Sequence, residues 1–103
     1  MEMKYLPIGT VVQLKESEDR VMIAGYYSIS ALKEDTIWDY SGFRYPTGYM
    51  DDDDIFCFNN DQIEFICHLG CCDLEQQMFE EKLNEAEPVI REQYKYEGEG
   101  GNN

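Results

Sequence analysis

The stretch TVVQLKESEDRVMIAGYY, residues 10–27, decides the fold of this chain. It contains two runs rich in β-branched and other apolar residues, 10–15 and 21–27, on either side of the polar segment 16–20. Such runs favour strands, and a short polar segment between them is typical of a turn. We therefore predict a β-hairpin here.

The flanking residues extend the hairpin into a sheet. Upstream, the segment 5–9 holds a proline that favours an extended chain and a glycine that permits a bend. Downstream, the same strand signals recur in 36–44, 55–58 and 63–69, and one helical turn is predicted for 59–62. A tight turn is expected at Pro46 and Gly48, because proline presets φ and glycine permits a positive φ.

From Asp73 the pattern changes to that of an α-helix. Asp73 is the expected N-cap, and Gln76 stands at the capping-box position. We predict that one apolar face of this helix packs on the sheet, formed by Leu74, Met78, Phe79, Leu83 and Ala86. Pro88 interrupts the helical run, and the sequence leaves open whether the helix extends as far as residue 96.

These elements predict an α+β fold, with a curved antiparallel sheet of about five strands and one C-terminal helix. The sequence leaves open the strand order and whether the sheet closes into a small barrel. A chain of 103 residues makes one domain, which we place at 1–96, with the sheet over 5–69 and the helix over 73–87. The polar residues 97–103 are expected to form a disordered tail.

Charge restricts the classes of partner. Twenty-two acidic residues against eight basic ones give a formal net charge of −14, which repels nucleic acids and anionic membranes. The N-terminus has no apolar run of signal-peptide length, and no stretch reaches the ~20 apolar residues that span a bilayer. We therefore expect a cytoplasmic protein whose partner is another protein.

Several segments occur together in a fixed order: YLPIGTVVQLK (5–15), VMIAGY (21–26), WDY (38–40), YPTGY (45–49) and FNNDQI (58–63). In this ordered set the chain resembles the domain-of-unknown-function family 4176. The resemblance implies a small cytosolic protein of Gram-positive bacteria, often encoded beside genes for type VII secretion and their LXG-type toxins. It implies no enzymatic role.

The cysteines are the first candidates for chemistry. Cys67 and Cys71 have a spacing that zinc could use, but no second well-spaced pair exists, and we expect Cys67 to face the core as a structural thiol. A cysteine nucleophile would need a base, and the single histidine, His68, should point away from Cys67 on a strand. The acidic run 51–54 lacks the EF-hand pattern and is expected to be a solvated loop. We expect no catalytic residues, no metal site and no cofactor.

The aromatic residues are the better site signal. Side chains alternate between the two faces of a strand, so no register buries every ring around residues 37–49. Tyrosine and tryptophan are also enriched at protein interfaces. The predicted partner-binding residues are Trp38, Tyr40, Tyr45 and Tyr49, with Asp51 and Asp52 as a charged rim.

The resulting hypothesis is a non-enzymatic protein-binding module. The resemblance favours an accessory or chaperone-like adaptor for a type VII secretion toxin or for a component of the secretion apparatus. The alternative is an immunity protein that blocks a cognate toxin, since an acidic inhibitor suits a nuclease with a basic cleft.

Overall fold

The fold was analysed in a computed structural model that describes residues 4–30 and 33–96. The predicted tail, 97–103, lies outside the described residues. The elements in chain order are β1 (Val11–Leu14), β2 (Arg20–Ser30), β3 (Lys33–Tyr45), β4 (Ile55–Phe58), β5 (Ile63–His68), α1 (Leu74–Gln93) and β6 (Lys95–Tyr96). Short 3-10 turns, Asp52–Asp54 and Asn60–Gln62, precede β4 and β5.

The sheet is open and mostly antiparallel. Its strand order is β4-β3-β2-β1-β5, and the two-residue β6 adds a parallel pairing to β3 at Thr36 and Ile37. The edge strands β4 and β5 do not pair with each other, so the sheet does not close into a barrel. The predicted α+β fold, with a sheet of about five antiparallel strands and one C-terminal helix, is confirmed.

Glycines set two of the bends between these elements. Gly9 and Gly48 have φ angles of 91° and 75°, a region that side chains with a Cβ avoid. The amide of Gly48 donates to the carbonyl of Arg44 at 2.7 Å, which confirms the predicted turn after β3. Gly42 has a different role, because a Cβ there would lie 2.3 Å from the carbonyl oxygen of Met22 on the neighbouring strand.

One face of the sheet carries the core, which the N-terminal segment and α1 complete. Its buried members are Tyr5, Leu6, Val12, Val21, Ile23, Tyr40, Phe58 and Leu83. The ring of Tyr5 makes edge contacts with three other tyrosines, at centroid distances of 5.5 to 6.2 Å. The hydroxyl of Tyr26 donates to the carbonyl of Leu6, and that of Tyr27 donates to the carbonyl of Leu83. These tyrosines thus connect the sheet to both the N-terminal segment and the helix.

The helix begins as predicted and ends later. The carboxylate of Asp73 accepts from the amide of Gln76 at 2.9 Å, so the predicted N-cap is confirmed. The helix then continues through Pro88 to Gln93, and the prediction that Pro88 interrupts it was wrong. A proline removes one backbone hydrogen bond. Here the exposed Pro88 is tolerated because Arg91, one turn later, holds the helix end to the sheet through Asp39.

The predicted apolar face of α1 was wrong in part. Of its five members only Leu83 is buried, whereas Leu74 is 71% exposed and Met78 is 55% exposed. An α-helix turns 100° per residue, which places Leu74 on the side opposite Leu83. Phe79 touches the ring of Tyr26 but remains about half exposed. The sheet therefore covers a narrower stripe of the helix than the sequence predicted. No helix in the described ranges has the length and apolar character needed to cross a membrane.

Candidate functional site

The sheet has a second face, opposite the core, which α1 does not cover. In an antiparallel pair, residues directly opposite each other point to the same face. The strand register therefore places one row of side chains across all five strands: His68, Val11, Met22, Phe43 and Ile55. A second row runs beside it: Phe65, Gln13, Arg20 and Tyr45. We call this surface, together with Tyr49, whose ring packs on Phe43, the open face.

Large apolar side chains of the open face remain accessible to solvent. Tyr45 is 43% exposed, Tyr49 58%, Ile55 46% and Phe65 56%. The ring of Tyr49 makes an edge contact with the half-buried Phe43, at a centroid distance of 5.4 Å. Tyr45, Tyr49 and Ile55 thus form an exposed apolar group at the β3–β4 end of the open face. Phe65 lies apart from them at the β5 edge, beyond Gln13 and Arg20 in its row.

An acidic loop, residues 51–54, borders the open face near β4. The hydroxyl of Tyr49 donates to the carboxylate of Asp52 at 2.7 Å, and this hydrogen bond raises the pKa of Tyr49 above its usual value. The amide of Asp51 donates to the carboxylate of Asp54 at 3.3 Å. Asp51 and Asp52 are both exposed. Negative charge therefore lies directly beside the aromatic residues.

The structure brings together four of the six residues that the sequence predicted to bind a partner. Tyr45 and Tyr49 lie on the open face, and Asp51 and Asp52 lie in the acidic loop beside them.

The other two predicted residues do not join this surface, and Tyr40 requires a correction. Its side chain is fully buried in the core, where its hydroxyl accepts from the amide of Leu6 and donates to Asn60. Burial raises the pKa of Tyr40. Trp38 is half-buried, and its indole Nε1 is enclosed without a hydrogen-bond partner among the described residues. Neither ring is available as an exposed anchor.

A shallow cavity of about 450 Å³ lies in the open face, where β1, β2 and β5 meet β3. It is lined by Gly9, Val11, Arg20, Met22, Tyr45, Cys67 and His68. The guanidinium of Arg20 stacks on the ring of Tyr45 at 5.2 Å from its centroid. In the sequence, Arg20, Met22 and Phe65 carry no signal that distinguishes them as site residues. Strand alternation in the sequence places Arg20 and Met22 on one face of β2. That Tyr45 and His68 lie beside them follows only from the pairing of β2 with β3 and of β1 with β5.

The cysteines are more accessible than the sequence predicted. The side chains of Cys67, Cys71 and Cys72 are exposed, so the expectation that Cys67 faces the core was wrong. Cys67 lies two positions after Phe65 on β5, so strand alternation places its side chain on the open face. Cys57 is half-buried, and this burial raises the pKa of its thiol. Within the described residues no three histidine, cysteine or acidic side chains converge as metal ligands would.

A buried ion pair fastens the end of α1 to the sheet. The guanidinium of Arg91 donates to the carboxylate of Asp39 at 2.8 Å, and the Asp39 side chain is only 2% exposed. The second oxygen of Asp39 accepts from the amide of Asn60 at 2.9 Å. Burial alone would lower the pKa of Arg91, but the hydrogen bond and the charge of Asp39 outweigh it and raise that pKa. The pair positions the end of the helix on the sheet.

Comparison with known proteins identifies a family whose match covers strands β1 to β5. The family described as Domain of unknown function (DUF4176) matches residues 5–79, which span β1 to β5 and the first turns of α1. No curated protein and no solved structure matches the chain. The match covers most of the sequence, including every residue named on the open face, and the chain belongs to the DUF4176 family.

Proposed function

We propose that this chain is a non-enzymatic protein-binding module, and that it serves in the cytoplasm as an accessory or chaperone-like adaptor. The observation that carries this proposal is the open face, where large apolar side chains from neighbouring strands stay exposed beside one another. Contiguous exposed apolar area is characteristic of surfaces that bind other proteins. The exposed tyrosines add contact area at a small cost in rotamer entropy.

Charge supports a protein as the partner. The net charge of −14 disfavours nucleic acids and anionic membranes, and the acidic loop provides a polar rim at the β4 end of the open face. Interfaces commonly have an apolar centre and a polar rim. A partner segment with apolar residues and flanking basic residues fits this arrangement.

The resemblance noted in the sequence supplies the class of client. A family associated with type VII secretion suggests a secreted toxin or a component of the apparatus. Such a client exposes apolar segments before export, and the open face would cover one of them. An immunity protein would instead occupy the toxic domain, and the experiment below separates the two functions.

Co-expression with a candidate toxin tests the proposal. An adaptor should co-purify with the targeting portion of the toxin and increase its solubility or export. The double variant Tyr45→Ala and Tyr49→Ala should weaken this binding by about 2 kcal/mol, which is roughly 30-fold in Kd, with little change in the thermal midpoint. The matched control replaces two exposed apolar residues elsewhere, Leu74→Ala and Met78→Ala, and should bind normally.

Two results would contradict the proposal. If the control variant loses the client and the tyrosine variant retains it, the helix is the binding surface. If the protein binds only the toxic domain and restores growth of cells that express it, its function is immunity.

A further inference from the structure

The cavity in the open face differs in charge from the rest of the molecule. Its floor is apolar, formed by Val11 and Met22, and its walls carry Arg20 and His68 with no carboxylate. Two other surface cavities have acidic linings: one between α1 and the N-terminal segment includes Asp73 and Glu75, and one beside the first hairpin includes Glu16 and Asp61. A cationic lining is therefore unusual in a chain with a net charge of −14.

The three arginines differ in their ion pairs, and Arg20, which lines this cavity, is the exception. Arg44 pairs with Asp19 at 3.4 Å, and Arg91 pairs with Asp39 at 2.8 Å. Across residues 4–30 and 33–96, no carboxylate lies within ion-pair distance of Arg20. Its guanidinium carbon lies 5.2 Å from the centroid of the Tyr45 ring, and such a cation–π contact does not use the N–H donors of the group.

We propose that this cavity receives a carboxylate side chain of the protein partner, seated on Val11 and Met22 and bound by Arg20 and His68. This inference rests on the proposed function, and it specifies the chemistry of the anchor. A planar guanidinium binds a carboxylate through two parallel hydrogen bonds, which gives both affinity and orientation. The apolar floor accommodates the methylene groups of a glutamate, or the apolar residues that flank the acid.

The sheet geometry adds a second element to the partner. Neighbouring strands lie about 4.8 Å apart, so β4 and the acidic loop lie about 10–14 Å from the cavity at β1 and β2. On a helical segment crossing the strands this distance corresponds to about two turns, or seven residues. We therefore expect the binding segment of the partner to be a helix with one acidic residue in its apolar stripe and a lysine or arginine about seven positions away.

The test uses the isolated protein and a pair of small probes. 3-Phenylpropionate and its neutral amide are titrated while the methyl resonances of Val11 and Met22 are followed by NMR. The carboxylate should bind in the millimolar range, at least fivefold tighter than the amide. Arg20→Gln should abolish this difference. Arg44→Gln is the matched control, because Arg44 is the neighbour of Tyr45 on the opposite side of β3, and it should preserve the difference.

A peptide pair then tests the source of the carboxylate. An amphipathic peptide with one glutamate in its apolar stripe and a lysine seven residues away should bind at least tenfold tighter than 3-phenylpropionate. Replacing the glutamate by glutamine should remove most of this gain. The proposal is overturned if the amide binds as well as the carboxylate, or if Arg44→Gln has the same effect as Arg20→Gln. If 3-phenylpropionate and the peptide bind with equal affinity, the cavity is a site for small molecules, and this result would also overturn the proposal.

The two proposals fail in different ways. If neither probe binds but the Tyr45→Ala and Tyr49→Ala variant loses its client, the open face remains the binding surface and only the carboxylate anchor is wrong. If the probes bind as expected but the client does not require the open face, the proposed function is wrong, and with it the assignment of the carboxylate to a protein partner.

Discussion

Replacing Arg91 should cost more stability than replacing Asp39, although the two residues form one ion pair. In Arg91→Met the Asp39 carboxylate, 2% exposed, loses the guanidinium 2.8 Å away and remains enclosed. Leaving a buried charge without its counter-ion costs about 3–5 kcal/mol. In Asp39→Asn the arginine retains 22% exposure and the Glu87 carboxylate at 3.5 Å, so its charge stays solvated and paired. The free energy of unfolding should then fall only by the contribution of one hydrogen bond to a charged group, about 1.5–3 kcal/mol.

Urea unfolding measures the difference, with the fluorescence of Trp38, the single tryptophan, as the signal. The free energy of unfolding should fall by at least about 1 kcal/mol more in Arg91→Met than in Asp39→Asn. The double variant should lose less than the sum of the two, since it leaves no buried charge. Glu87→Gln is the control and should cost less than about 1 kcal/mol, because its contacts are partly exposed. A larger loss for Asp39→Asn than for Arg91→Met, or strict additivity, would refute the reasoning.

Three further predictions concern packing, pH and thiol reactivity. Gly42→Ala should lower the free energy of unfolding by about 1–3 kcal/mol or more, measured by urea unfolding, because its Cβ would lie 2.3 Å from the Met22 carbonyl oxygen. Burial raises the pKa values of Tyr5 and Tyr40 in the folded state, so their stabilising contribution is complete below about pH 10 and is lost as pH rises. Above about pH 10, each of these two tyrosines should lower the free energy of unfolding by about 1.4 kcal/mol per pH unit. An unchanged free energy of unfolding from pH 9 to pH 11.5 would contradict this prediction. Iodoacetamide should modify three thiols of the native protein readily and Cys57 slowly, as mass spectrometry would show, because burial raises the pKa of Cys57.

The local features of the fold were predictable from the sequence. The first hairpin, the turn at Gly48 and the N-cap at Asp73 each depend on a few neighbouring residues whose conformational preferences are strong. The Pro88 prediction failed because tertiary contacts decide whether a helix survives a proline. The helix-face prediction failed for a simpler reason, since Leu74 and Leu83 are nine positions apart and nine steps of 100° place them on opposite sides.

The candidate site was predictable only in part. Tyr45, Tyr49 and the acidic loop are close in sequence, and strand alternation indicated that some rings of this segment stay exposed. Tyr40 was misplaced because alternation separates two faces but does not show which face the core occupies. The cavity was missed because it depends on the pairing of β1 with β5, whose residues are distant in sequence.

This last pairing has a consequence for folding. Two cavity walls, Cys67 and His68, belong to an edge strand that reaches β1 only by closing about half of the chain into a loop. In contrast, β2 and β3 are joined by a short connection. Long loops are costly to close, so pairings of high sequence separation tend to form late. We therefore predict that the cavity is completed late in folding, and that an occupant would stabilise β5 in place. Amide hydrogen exchange along β5 should then slow on binding, while exchange in the β2–β3 hairpin changes little. The proposed recognition site would then depend on the strand whose pairing with β1 closes a long loop.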